Sequence, residues 1–173
     1  EFFREFGRIL KEGIQTDSTN QDKIRELAMY ESMNTAPGLL MSLKEYTAAM
    51  PPEQKEIYYL TGESRKAVES SPALEFFRSK GWDVLFMTDP IDEWIMQSAT
   101  DFEGKKFKSV AQGEIELDDT EKEVAKKKID KAAKSHKNLV KFLQEELDDT
   151  VKEVRFSTRL TESACCLVND PNA

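Results

Sequence analysis

Two adjacent thiols, Cys165 and Cys166, a single imidazole, His136, and two aspartates around a proline, Asp89 and Asp92, are the residues of this 173-residue chain whose types invite a chemical reading. Neighbours on a strand point to opposite faces, so the two thiols are badly placed to bridge one another. Strand packing explains them more simply than a redox switch, and thiols without a cross-link framework fit a reducing compartment, hence a cytoplasmic protein. One histidine cannot build a histidine-rich metal site, and a nucleophile–histidine dyad would have to use His136 alone. Its place on the apolar stripe of a charged helix predicts a structural role. Asp89, Pro90 and Asp92 read as the capped start of a helix, where the dipole favours negative charge. Paired carboxylates for glycoside hydrolysis would need a cleft of which the sequence gives no sign. Gly104-Lys105 is followed by Lys106 instead of a hydroxyl, and Ala99 stands where a phosphate loop needs its first glycine. Neither an autonomous active site nor a cofactor or metal of its own is expected.

The helix from Ile91 to Phe102 suggests binding instead. Ile91, Ile95, Ser98, Ala99 and Phe102 form the stripe expected to face a core, which leaves Trp94 at its margin with Glu93, Gln97 and Asp101 on the same flank. A tryptophan edged by polar groups can bury much area against another protein with little rotamer loss. From the residues alone, a core tryptophan is the favoured reading. Trp82 follows Gly81 and is expected to pack at a helix-to-strand turn.

The elements that position these groups follow from periodicity and punctuation. The first fifty residues read as helices: Phe2, Phe3, Phe6, Ile9 and Leu10 recur at helical spacing up to a stop at Gly13, and Asn20 can cap a second helix that ends before Pro37 and Gly38. Ser42 and Glu45 make a capping box for a third, closed by Pro51 and Pro52. Ile57–Leu60 and Val84–Met87 are unbroken apolar runs of strand length, with a helix between them that starts at Ser71-Pro72 and stops at Gly81. A third strand is expected over Phe107–Val110. Strands buried on both faces and alternating with helices predict a small parallel α/β sheet.

From Thr120, with Glu123 a second capping box, a long amphipathic helix carries Ala125, Ile129, Ala132, His136, Val140, Leu143 and Leu147 on one stripe. Beyond it, Val154, Phe156 and Thr158 alternate with polar residues, and Cys165–Val168 supplies a partner strand. The predicted fold is α/β: a helical connector (1–52), a small three-layer αβα sandwich (53–112), then a long helix leading into a partial α+β domain (113–173).

Charge narrows the partners. The formal net charge is −8, with fourteen basic against nineteen acidic residues up to position 110 and eleven against fourteen after it. Neither part is basic, which argues against nucleic acid. The lysine cluster from Lys122 to Lys137 reads as a solvated helix face. No apolar run approaches the roughly 20 residues needed to cross a bilayer, so no membrane role is expected.

Six ordered stretches then carry a resemblance: Lys11-Glu-Gly-Ile14, Ser42-Leu-Lys-Glu-Tyr46, Ile57-Tyr-Tyr-Leu-Thr-Gly-Glu-Ser64, Ser70-Ser-Pro72, Asp83 to Trp94, and Phe102-Glu-Gly-Lys-Lys-Phe107. Together they resemble the middle domain of the heat-shock protein 90 family, with the tryptophan at position 94 nearer the bacterial form. Arg159 to Val168 is similar to the start of that family's C-terminal domain, where a cysteine pair is commoner in eukaryotic members. The resemblance implies a homodimeric, ATP-driven chaperone that closes around unfolded or partly folded client proteins, with cochaperones as further partners. ATP and magnesium would belong to the full-length parent, whose nucleotide site and catalytic arginine are expected upstream of Glu1, and the dimerising helices downstream of Ala173. The family's client surface maps onto Glu93, Trp94 and Gln97. Two other readings stand beside it: a small α/β domain binding a nucleotide or acyl substrate, and a passive spacer.

Overall fold

The computed structural model describes residues 2–112 and 119–168, and the chain divides into two compact units, Glu1–Gly113 with Cys165–Ala173, and Glu114–Ala164. In the first unit the order is α1 (Phe2–Thr16), α2 (Gln21–Leu27), β1 (Met29–Ser32), β2 (Met41–Ser42), α3 (Leu43–Ala49), β3 (Ile57–Thr61), α4 (Arg65–Glu69), a 3-10 turn (Pro72–Leu74), α5 (Glu75–Lys80), β4 (Leu85–Met87), α6 (Pro90–Ser98), β5 (Asp101–Phe102) and β6 (Lys105–Ser109). The strands form one sheet in the order β2-β1-β4-β3-β6-β5.

The three predicted strands are β3, β4 and β6, and they are parallel, with Tyr59 opposite Leu85 and Ile57 opposite Phe107. Alternation divides their side chains between two cores. Ile57, Leu85 and Met87 join Ile14, Tyr30, Leu43, Tyr46, Ile95, Ala99 and Phe102 on the face covered by α1, α3 and α6. On the other face Tyr58 packs against Phe77 (centroids 4.7 Å apart) and stacks on Trp82 (5.6 Å, 6° between planes), so Trp82 packs where the sequence put it. The result is helix, sheet, helix. Gly81, in the left-handed region at φ 67°, ends α5, and Trp82 N–H reaches back to the Phe77 carbonyl at 3.0 Å.

The helical reading of the first fifty residues needs correction in three places. α1 does not stop at Gly13; that glycine lets α2 approach, since a Cβ there would meet Ile24 Cδ1 at 3.0 Å. Its buried face is Gly7, Lys11 and Ile14, while Phe2, Phe6 and Ile9 are exposed. Asn20 precedes α2 without capping it, because its side chain donates to Asp17 Oδ2 at 2.8 Å instead. That helix ends at Leu27, and Met29–Ser32 forms a strand antiparallel to β4, with Glu31 opposite Phe86 and Ser32 opposite Leu85. Pairing decides such a short segment more than propensity does. The Ser42–Glu45 box is present, with Ser42 N–H donating to Glu45 Oε2 at 2.7 Å and Glu45 N–H to Ser42 Oγ at 3.2 Å.

Two polar knots tie this unit together. The buried Tyr46 hydroxyl donates to the Asp83 carbonyl at 2.6 Å and accepts from Gln54 Nε2 at 2.8 Å and Tyr58 N–H at 3.2 Å. Burial pushes the ionisation of that hydroxyl up. Arg65 reaches from α4 to Glu31 Oε1 at 3.0 Å and the Thr35 carbonyl at 2.6 Å, with its guanidinium over the Phe86 ring.

In the second unit α7 spans Asp119–Glu146 and is broken at His136, whose φ of −123° and ψ of 23° are not helical. His136 is exposed there, while Ile129, Ala132, Val140 and Leu143 are half-buried. The Ala125 side chain and the Thr120–Glu123 capping box lie outside the described residues. Among the described residues after α7 no strand forms, in contrast to the hairpin read from 154–158 and 165–168. Val154 N–H is taken by the Gln144 side chain at 2.6 Å, and two short strands alone bury too little to hold. Cys165 is exposed and Cys166 half-buried, and neither is in a disulfide.

Candidate functional site

α6 is built as its sequence requires. Asp89 takes the extended N-cap conformation, Pro90 fills the first turn, and Asp89 N–H donates to Asp92 Oδ2 at 3.2 Å. Ile95 and Ala99 are buried with Phe102, and Ile91 and Met96 pack half-buried against the same core. The side chain of Ser98 lies outside the described residues.

The opposite flank carries Glu93, Trp94 and Gln97, all exposed, with the indole 48% accessible. Residues three and four apart share a helix face, so the three form one patch. This departs from the core tryptophan favoured by residue type alone. Asp101 is not part of the patch: it accepts from Gly104 N–H at 3.3 Å and Thr100 Oγ1 at 3.1 Å inside the β5–β6 turn.

What holds α6 was not visible in the pattern. Asp92 is 1% exposed and faces Lys11 of α1, itself 3% exposed, with Nζ 2.8 Å from Oδ1 and 3.0 Å from Oδ2. Asp89 Oδ2 lies 2.7 Å from the same ammonium, and the Tyr30 ring sits 4.5 Å below it. Oδ1 of Asp92 is held by charge alone, since it makes no directed hydrogen bond. Burial pushes the Asp92 carboxyl above the usual range, and the Lys11 charge pulls against that rise. Burial likewise raises the Tyr30 hydroxyl, reinforced by the Asp92 charge. One turn further along α1, Gln15 Nε2 donates to the Trp94 carbonyl at 2.9 Å. Lys11 and Gln15, four residues apart, thus grip α6 at its start and at the tryptophan. A signal existed in the sequence: Lys11 stands at i+4 from Gly7 and i−3 from Ile14, on the stripe that packs.

Among the described residues no group of three His, Cys, Asp or Glu is placed to hold a metal ion. A shallow open depression lined by Ala99, Thr100, Asp101, Gly104, Lys106 and Phe107 lies beside the β5–β6 hairpin, and none of these residues is a nucleophile–base pair. The arrangement is suited to contact rather than covalent chemistry: a half-exposed indole and two polar side chains on a helix fixed from below.

Comparison with known proteins identifies the family. The family profile described as Hsp90 protein matches residues 1–172. Chaperone protein HtpG of Geobacter sulfurreducens is 50% identical over 171 residues, covering 98% of this chain and 26% of that protein. The Geobacter metallireducens protein of the same name is 49% identical over 170 residues, again 98% of this chain and 26% of the relative. Among solved structures, the middle domain of a Plasmodium falciparum heat shock protein superposes with a TM-score of 0.61 at 35% identity, over 65% of this chain and 47% of that one. The chain spans about a quarter of the length of the curated relatives it matches, and with a family profile that covers all but its last residue it belongs to the Hsp90 family.

Proposed function

We propose that this chain supplies a client-contacting flank and a mechanical link within an ATP-dependent, homodimeric, cytoplasmic chaperone. In this reading residues 1–52 and 53–112 are two parts of a middle domain, and residues 113–173 lead into the dimerisation domain. Unfolded or partly folded proteins are the partners, held by Trp94 through apolar area and by Glu93 and Gln97 through adaptable hydrogen bonds. Cochaperones would be further partners.

The observation that carries the proposal is the half-exposed Trp94 on a helix whose start and middle are gripped by Lys11 and Gln15. A large ring fixed at the surface binds exposed apolar chain segments without having to be ordered first. The residues described here do not fit a magnesium nucleotide: no metal-binding cluster is placed among them, and Gly104 stands in a hairpin turn at φ 77°.

About half of a tryptophan's buried area, roughly 100 Å² at about 25 cal/mol per Å², sets an upper bound of about 2.5 kcal/mol on what Trp94 can contribute. Incomplete contact leaves about tenfold in affinity. Trp94→Ala should therefore weaken binding of a permanently unfolded polypeptide, reduced and carboxymethylated lactalbumin, about tenfold in fluorescence anisotropy, with Tm nearly unchanged. Equal affinity in a folded variant would remove this flank from the function.

A further inference from the structure

The strongest charge asymmetry of the molecule lies on α7 and has no part in the client reading. Residues 126–141 hold seven lysines and a single acid, Asp130, in a chain whose formal charge is −8. Lys127, Lys131 and Lys134 recur at the spacing of one helix face ahead of the break at His136, Asn138 and Lys141 follow that break, and all five are exposed. Among the described residues one ion pair engages this band, Lys141 with Glu145 at 3.6 Å. Beside its far end Leu139 and Phe142 are exposed as well.

We propose that this face docks a short acidic peptide segment of a partner protein, carrying an apolar residue at one end. The charge sequence sets the length. Upstream, residues 114–123 hold six acids and one lysine, and downstream, residues 142–153 hold five acids and one lysine. A polyanion longer than the basic band would run into like charge at both ends, which disfavours nucleic acid. Sixteen residues, helical on either side of the break at His136, extend at most about 24 Å, the span of about seven residues of extended chain. Leu139 and Phe142 give such a peptide an apolar anchor next to Lys141. Exposed charges couple weakly one by one, so the contact depends on several lysines together and is sensitive to salt beyond a Debye length of about 8 Å.

The test uses the 173-residue chain and a fluorescein-labelled heptapeptide of five glutamates followed by two leucines, read by anisotropy. Binding is expected, falling steeply with added salt and about tenfold in K127Q/K131Q/K134Q, whose helix and Tm should be unchanged because glutamine is as good a helix former as lysine. Equal affinity of wild type and triple variant would overturn the proposal. So would tighter binding of a twenty-nucleotide single-stranded DNA at equal salt. A salt-sensitive dimer in sedimentation that the heptapeptide does not displace would overturn it too, by giving the band to a second copy.

Discussion

Replacing Lys11 with methionine would take away the ammonium that two carboxylates and the Tyr30 ring converge on, while nearly preserving side-chain volume. Asp92 would then stand 1% exposed with no counter-charge. Breaking a buried pair from one side costs about 3–5 kcal/mol, a fifth or more of the roughly 5–15 kcal/mol that holds an ordinary domain together. Asp89 is the lesser partner: its side chain is 46% exposed, so Asp89→Asn, which keeps a good N-cap, should cost about 1 kcal/mol or less. Adding Asp92→Leu to Lys11→Met removes the stranded charge and should recover most of the loss, as apolar replacement of buried pairs often does. Urea unfolding followed by tryptophan fluorescence, with m values compared, measures all three. The pH dependence gives a second reading. The folded-state pKa of Asp92 lies above its ordinary 3.8, so the folded chain binds the extra proton in that window, and stability falls as pH rises from about 3.8 through the raised value and is flat above it. Lys11→Met should extend that fall to higher pH and deepen it, because the charge that pulls the Asp92 carboxyl down is gone. A loss below about 1 kcal/mol for Lys11→Met, or no recovery in the double variant, would refute the account of the cluster as a coupled buried pair.

Other outcomes follow from single contacts. Tyr46→Phe removes the hydroxyl that pairs with the Tyr58 amide and the Asp83 carbonyl and leaves Gln54 Nε2 its bond to the Glu56 carbonyl, and should cost about 1–3 kcal/mol in the same urea titration. Gly81→Ala meets no atom within 4 Å but must hold φ at 67°, so about 1 kcal/mol is lost to backbone alone, visible as a lower Tm. Ser42→Ala should cost about 1 kcal/mol by loss of the α3 cap, and Ser42→Asp should restore it.

The parts of the fold that were legible are those whose cause is local. Ile57–Leu60 and Val84–Met87 are apolar because both faces of the parallel sheet are covered, and continuity of such a run survives in the sequence. Ser42 with Glu45, and Gly81, are read from their own turn geometry. β1 is different, since Met29-Tyr-Glu-Ser32 has no apolar run and becomes a strand only because β4, more than fifty residues later, offers hydrogen bonds. The alternation around Phe156 shows the converse: the pattern is present, and with the Val154 amide already taken it forms no strand. At the site, residue type argued for a buried Trp94, which the structure exposes; the helix start at Asp89 and Asp92 was legible, the burial of Asp92 was not. Asp92 goes inside because a lysine 81 residues earlier comes with it, a pairing that no window along the chain can contain.

The antiparallel seam between β1 and β4 also determines where this molecule can be divided. A polypeptide begun at Pro51 would keep all three parallel strands yet leave the Leu85-Phe86-Met87 backbone bare on one side, as three consecutive apolar residues with open donors and acceptors. Such a rim recruits copies of itself. The opening fifty residues therefore act as a guard against self-stacking, and trimming them to isolate the sandwich would favour precipitation.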